Sequence, residues 1–234
     1  MAVVVLDPGH GAETAGKCAP DGSFLEHEFN LDMAVRVKKL LERHGVEVIL
    51  TRCGEADVSL AERVKTANSV PGLDLFVSLH SNASGDGKTW TSPKGFGIYT
   101  SAGGEGAARN RAAKAVLQRA KESGITIWGG GLFHNIGLCV LKNTIAPAIL
   151  VEHGFHTNKS EVLLLKEDSH REKLAEVDAK GILDHLGICW QEPEVWYESA
   201  RKWVVSKEIT DGSRPEEACT RAEIWEMLYR LYNG

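Results

Sequence analysis

Nowhere in the 234 residues is there an apolar run long enough to cross a bilayer, which excludes a helical membrane protein. Nor is there a Lys/Arg-rich tract. With 27 basic against 32 acidic side chains the formal charge is -5, so the electrostatic footprint of a nucleic-acid binder is missing. Cysteine is scarce: the five present, Cys18, Cys53, Cys139, Cys189 and Cys219, are odd in number and show no CxxC pairing. That excludes zinc ribbons and thioredoxin-like motifs and predicts reduced thiols. The opening Met1-Ala2-Val3-Val4-Val5-Leu6 has no basic n-region and meets Asp7 and Pro8 at once, so no secretory signal is expected. The expectation is a protein made in the cytoplasm that stays there or leaves by another route.

Apolar residues make up 43% of the chain, enough for one sizeable α/β domain with a small appendage. Ala2 to Leu6 reads as a buried strand stopped abruptly by Asp7-Pro8-Gly9, which delivers His10, and a polar loop runs on to Ser23. Phe29, Met33, Val37, Leu40 and Leu41 then recur at helical spacing, with Glu26 just ahead and Gly45 as a stop. Val46 to Thr51 is β-branched and reads as a second strand beside the first. Ser59-Leu60-Ala61-Glu62 is a capping box opening a short helix that carries Arg63 and Asn68. Leu73 to Leu79 is another buried-strand run, ending in His80. Gly95 to Thr100 predicts a strand and Gly106 to Ser123 a long helix, while Gly129-Gly130-Gly131 marks Ile125 to Asn135 as a surface loop. Leu138 to Leu141 and Ala148 to Val151 predict two more strands, the second ending in Glu152-His153-Gly154-Phe155. A helix start at Asn158 and an amphipathic helix from Arg171 to Leu186, closed by Gly187, follow.

Composition changes at Gln191-Glu192-Pro193-Glu194, a proline-marked linker. Beyond it Trp196, Tyr197, Trp203, Trp225, Tyr229 and Tyr232 crowd a short tail. With Thr220-Arg221-Ala222-Glu223 as a capping box, the tail predicts two short helices around the turn Asp211 to Pro215. The expected fold class is α/β: a twisted, mostly parallel or mixed sheet of about six strands flanked by helices, plus a small helical C-terminal appendage.

In such a sheet His10, His80 and Glu152 all fall at strand C-termini, where open α/β sheets present their functional groups, and Glu26 lies close enough to fold back to the same edge. Two imidazoles and one carboxylate leave a tetrahedral zinc with its fourth position open to water, and a further carboxylate nearby is placed to act as general base.

The order LDPGHG, Glu26 followed by Asn30-Leu31, Thr51-Arg52, LAER, Ala67-Asn68, SLHSNA, then PAILVEHGF with Asn158, resembles the zinc-dependent N-acetylmuramoyl-L-alanine amidases of the type 3 family. The resemblance covers residues 2 to about 188. It implies Zn2+ held by His10, Glu26 and His80, with Glu152 as the catalytic carboxylate. The bond cut would be the amide between the lactyl group of N-acetylmuramic acid and the L-alanine of the stem peptide in peptidoglycan. Asn82 and His134 are candidate substrate contacts; Glu28 is the alternative to Glu26 as ligand, and His153 and His156 read as polar loop groups. Two departures stand out: Phe133-His134-Asn135-Ile136-Gly137 replaces an Arg-Gly pair usual in the family, and His156 takes a place where an aliphatic residue is commoner.

The expected organisation is a zinc amidase catalytic domain over residues 1–189, a linker at 190–193 and a helical segment at 194–234. The stretch TDGSRPEEACTRAEIWEMLYR resembles an S-layer-homology motif, which implies a cell-wall polymer as partner. The alternatives are that the tail pairs with a second copy, giving a homodimer, or packs on the catalytic domain. The function expected is a phage or prophage endolysin, released through a lysis pore, or an amidase of a sporulating mother cell. A non-catalytic wall-binding protein of the same fold and a zinc peptidase acting on the stem peptide are the competing readings. Neither nucleic acid nor membrane insertion is expected.

Overall fold

A computed structural model of the chain describes residues 1–192 and 197–233. The chain divides into two compact units, Met1–Trp190 and Gln191–Gly234. Among the described residues no helix is long and apolar enough to cross a membrane.

The first unit is a six-stranded sheet in the order β2-β1-β3-β6-β4-β5. β1 (Val3–Pro8), β3 (Leu75–Asn82) and β6 (Ala148–Phe155) form its parallel centre, and β2 (Glu47–Leu50) adds to β1 in the same sense. β4 (Phe96–Thr100) runs antiparallel to β6 and carries β5 (Ile127–His134) parallel on its outer side, so the sheet is mixed. The central strands read as unbroken apolar runs because both faces are covered. One face packs on α1 (Glu26–Arg43), α3 (Ala108–Glu122) and α6 (Asp168–Leu186), which contribute Phe29, Met33, Val37, Val116, Leu174 and Ile182 to the larger core. The other face carries α2 (Leu60–Asn68) and α4 (Cys139–Asn143), with Val5, Phe76 and Leu150 in a smaller core. α5 (Lys159–Lys166) opens on Asn158, whose side chain accepts from the Ser160 and Glu161 amides. The Ser59 capping box forms as the sequence predicts, with both reciprocal bonds present.

Two assignments differ from expectation. Leu138 to Leu141 is not a strand: it leads into the short helix α4, whose Val140 and Leu141 are buried. A four-residue apolar run satisfies either period, so its pattern did not discriminate. Conversely Ile125 to Asn135, expected as a loop because of its three glycines, holds the edge strand β5. An edge strand has one neighbour only, and it tolerates glycine by looping residues out of the ladder.

In the second unit α7 (Glu198–Ser206) and α8 (Arg221–Asn233) flank the Asp211 to Pro215 turn, and Thr220 and Glu223 make the expected capping box. An open groove of about 800 Å³ runs between α7, the turn and α8. Pro193, Glu194 and Trp196, part of the expected linker and tail, lie outside the described residues.

Candidate metal centre and active site

Strand ends build the site. β1 stops at Pro8, and the next residues swing back so that His10 takes a left-handed backbone, φ 60. For a non-glycine residue that conformation must be held by its surroundings. Arg63 on α2 donates to the carbonyls of Pro8 and His10 at 2.6 and 2.8 Å, and Arg52 after β2 donates to Pro8, Gly54 and His27 carbonyls. Arg63 is itself fixed by a buried ion pair with Asp7 at 2.7 Å. Asn30 donates to the Gly9 carbonyl at 3.1 Å. Gly9 also has to be glycine, since a Cβ there would stand 2.1 Å from the His80 ring. The motif residues Arg52, Arg63 and Asn30 thus act as a clamp on the loop that presents His10.

Glu26 is the first residue of α1 and almost wholly buried. Its Oε1 lies 3.0 Å from His80 Nδ1 and 3.5 Å from His10 Nε2, and it accepts the Ser81 amide at 3.2 Å. Its Oε2 is buried with no hydrogen-bond partner. Donor atoms of His10, Glu26 and His80 all lie within 4.8 Å of one another. Glu28, the alternative, is exposed on the outside of α1.

The electrostatics of the site follow from this packing. Burial pushes the Glu26 carboxyl up, but the hydrogen bond from His80 and the charges of His80 and His10 bring it down to about 2. Burial, partly offset by Glu26, lowers His10 to about 4, so its imidazole is neutral and free to donate a lone pair. Burial acts downward on His80 as well, yet the Glu26 bond and charge raise it overall. A buried anionic oxygen left unpartnered beside two imidazoles is an arrangement that a divalent cation completes. The residues fit a metal on their donor chemistry: two nitrogens and one oxygen from three side chains, with further positions left to water or substrate.

Glu152 pairs in register with His80 across β3 and β6. Burial raises its carboxyl to about 7, with the His80 charge opposing, and its Oε2 is buried without a partner. Two carboxylates of one site are therefore driven apart in proton affinity, the pattern that separates an anionic ligand from a proton-transfer group.

Asn82 ends β3; its Oδ1 accepts the Ala83 amide, and its Nδ2 is buried beside the Tyr99 hydroxyl. His134 ends β5, exposed, with Nδ1 bonded to Thr100 Oγ1 at 2.8 Å, on a strand separated from β6 by β4. His153 and His156, expected as loop groups, are both buried. His153 Nε2 meets Asp178 of α6 at 2.7 Å while Nδ1 reaches the His80 carbonyl at 2.9 Å. His156 Nδ1 bonds Ser81 and stands 3.9 Å from Glu26 Oε2. Sequence reasoning missed Asp7 and Asp178; Asp7 had a signal, its place inside LDPGHG, whereas nothing local marks Asp178.

Known proteins resemble the chain in sequence and in fold. The N-acetylmuramoyl-L-alanine amidase family, Amidase_3, matches residues 4–184. The endolysin of Bacillus phage SPP1 is 36% identical over 192 residues, covering 80% of this chain and 66% of its own length. The germination-specific N-acetylmuramoyl-L-alanine amidase of Bacillus subtilis is 31% identical over 209 residues, 82% of this chain and 83% of that protein. In structure, the catalytic domain of CwlV, an N-acetylmuramoyl-L-alanine amidase from Bacillus (Paenibacillus) polymyxa, superimposes with a TM-score of 0.72 at 30% identity, over 81% of this chain and all of the other. With the family matched over most of its length, the chain belongs to the N-acetylmuramoyl-L-alanine amidases, metal-dependent hydrolases of peptidoglycan.

Proposed function

We propose that the chain cleaves the amide between the lactyl group of N-acetylmuramic acid and the L-alanine of the stem peptide, with zinc held by His10, Glu26 and His80 and with Glu152 as general base. The observation that carries this is the contrast between Glu26, an anion with an open buried oxygen between two imidazoles, and Glu152, a carboxyl of raised affinity on the neighbouring strand. Zinc bound there supplies Lewis acidity, which polarises the amide carbonyl and makes water a better nucleophile at neutral pH. Glu152 takes the proton from the attacking water and returns it to the amine nitrogen as the C–N bond breaks, so the carboxylate is regenerated. The Arg52 and Arg63 clamp keeps His10 in its strained conformation, and the Ser81 amide holds Glu26 in place.

The protein acts on the wall after release through a lysis pore, a role supported by its likeness to the SPP1 endolysin; a sporulating mother cell is the other setting. The tail, 194–234, serves as an S-layer-homology-like segment for a wall polymer, with self-association as the other reading. Mass spectrometry of digested walls tests the activity. Free stem peptides beginning in L-alanine are expected; internally cut peptides would make it a peptidase, and no product a wall-binding protein.

A further inference from the structure

The edge strand β5 does not run straight beside β4. Phe96 pairs with Ile127, yet Ile98 pairs with Leu132, so Trp128-Gly129-Gly130-Gly131 is looped out of the ladder. Such bulges collect beside active sites, where they re-aim a side chain. Here the side chain is Trp128, whose ring centre lies 4.4 Å from Phe133 and 5.1 Å from Phe155; Phe133 in turn lies 5.3 Å from Tyr99. Tyr99, Trp128 and Phe133 are half-buried, and the last two belong to neither hydrophobic core. Gly97 explains how the rings come so close. It pairs with Glu152 across β4 and β6, and a Cβ on it would stand 3.2 Å from Phe133 and 3.4 Å from Trp128. An aromatic wall therefore occupies the position beside Glu152.

The sheet order makes the two flanks of Glu152 different. Toward β3 and β1 lies the cluster of His10, Glu26 and His80, and with it Lys17, whose carbonyl accepts the Glu26 amide at 3.0 Å. Toward β4 and β5 lies the wall. An amide held at Glu152 has a carboxylate-bearing peptide on one side and an uncharged sugar on the other, and the peptide is drawn to the lysine flank. A pyranose offers an apolar C–H face, which complements the negative faces of aromatic rings, and a polar rim. The Asn82 side-chain amide, which stands beside the Tyr99 hydroxyl, is a donor for that rim.

Resting on the amidase reading above, we propose that Tyr99, Trp128 and Phe133, with the Asn82 amide, form the subsite that seats the muramic acid ring. The test compares Trp128→Ala and Phe133→Leu with the unaltered chain on two soluble substrates, a disaccharide-peptide and a lactyl-peptide of the same stem lacking the sugar ring. In variants whose thermal melting shows them folded, kcat/KM on the first should fall about tenfold, through KM, and on the second stay within about twofold. Equal losses on both, or none on either, overturn the subsite. Titration of the full chain with a peptide-free glycan oligomer stands independent of turnover: affinity about tenfold weaker in Trp128→Ala supports the subsite, and no binding or unchanged binding overturns it. A protein that cleaved neither substrate yet bound the oligomer through Trp128 would lose the amidase reading and keep the sugar subsite.

Discussion

Helices α1 and α6 of the first unit each bury eight residues, whereas α7 and α8 of the second bury none, and Trp225 and Tyr232 stand 66% and 82% exposed. The first unit is held from its interior, by two cores on either face of a sheet. The second is held mainly by local devices: the Thr220 and Glu223 box, and i,i+3 and i,i+4 ion pairs such as Arg201 with Glu198 and Arg230 with Glu226. A segment of that length has too little interior to do otherwise. The difference teaches where chemistry can reside. Hydrolysis needs ligands and base held to a fraction of an ångström, which only packed elements provide, while attachment to a polymer needs exposed area.

The sharpest way to break the comparison is at its chemical centre. Glu152→Gln keeps shape and loses the proton acceptor, so wall hydrolysis measured by release of L-alanine amino termini should fall about 100-fold to 10,000-fold with the melting temperature little changed. Turnover within a few-fold of the unaltered protein would give the role to another group. His80→Ala and His10→Ala should each abolish stoichiometric metal measured by elemental analysis, because a two-ligand remnant retains the ion poorly; full retention in both would remove the site from His10, Glu26 and His80. Arg63→Ala tests the clamp. Leaving Asp7 buried without its partner should cost about 3–5 kcal/mol, read as a drop in melting temperature of about 10 °C. A chain ending at Gln191 should keep its metal and its rate on a soluble muropeptide within about twofold, while its retention on purified walls or its mass in solution falls. Loss of soluble-substrate activity in that folded truncation would place part of the active site in the tail. Smallest of all, Thr220→Ala should reduce the helicity of the second unit through loss of a cap worth about 1 kcal/mol, seen by circular dichroism with hydrolysis unaltered.

Legibility followed range. β1, β3 and β6 were readable because doubly covered strands are continuous apolar runs, and α1, α2 and α6 because their periods and stops are local. β5 and α4 were misread because a glycine triplet and a four-residue apolar run carry no period of their own. The placement of His10, His80 and Glu152 at strand ends was legible in the same way. The choice of Glu26 rather than Glu28 as ligand came from the family pattern, and the burial of one and exposure of the other agree with that choice.

By itself the sequence determined the α/β class and the family, and put forward His10, Glu26, His80 and Glu152 as candidates for metal and proton chemistry, because strand period, helix stops and spaced motifs are written in neighbouring positions. Only the tertiary structure decided that Glu26 is held low and Glu152 high, that Arg63 and Asp7 brace His10, that His153 is buried on Asp178, and that three aromatic rings stand beside Glu152. Each of these depends on which groups from distant parts of the chain share a desolvated space. Proton affinity, ion pairing and ring contact are set by that shared space and not by position along the chain.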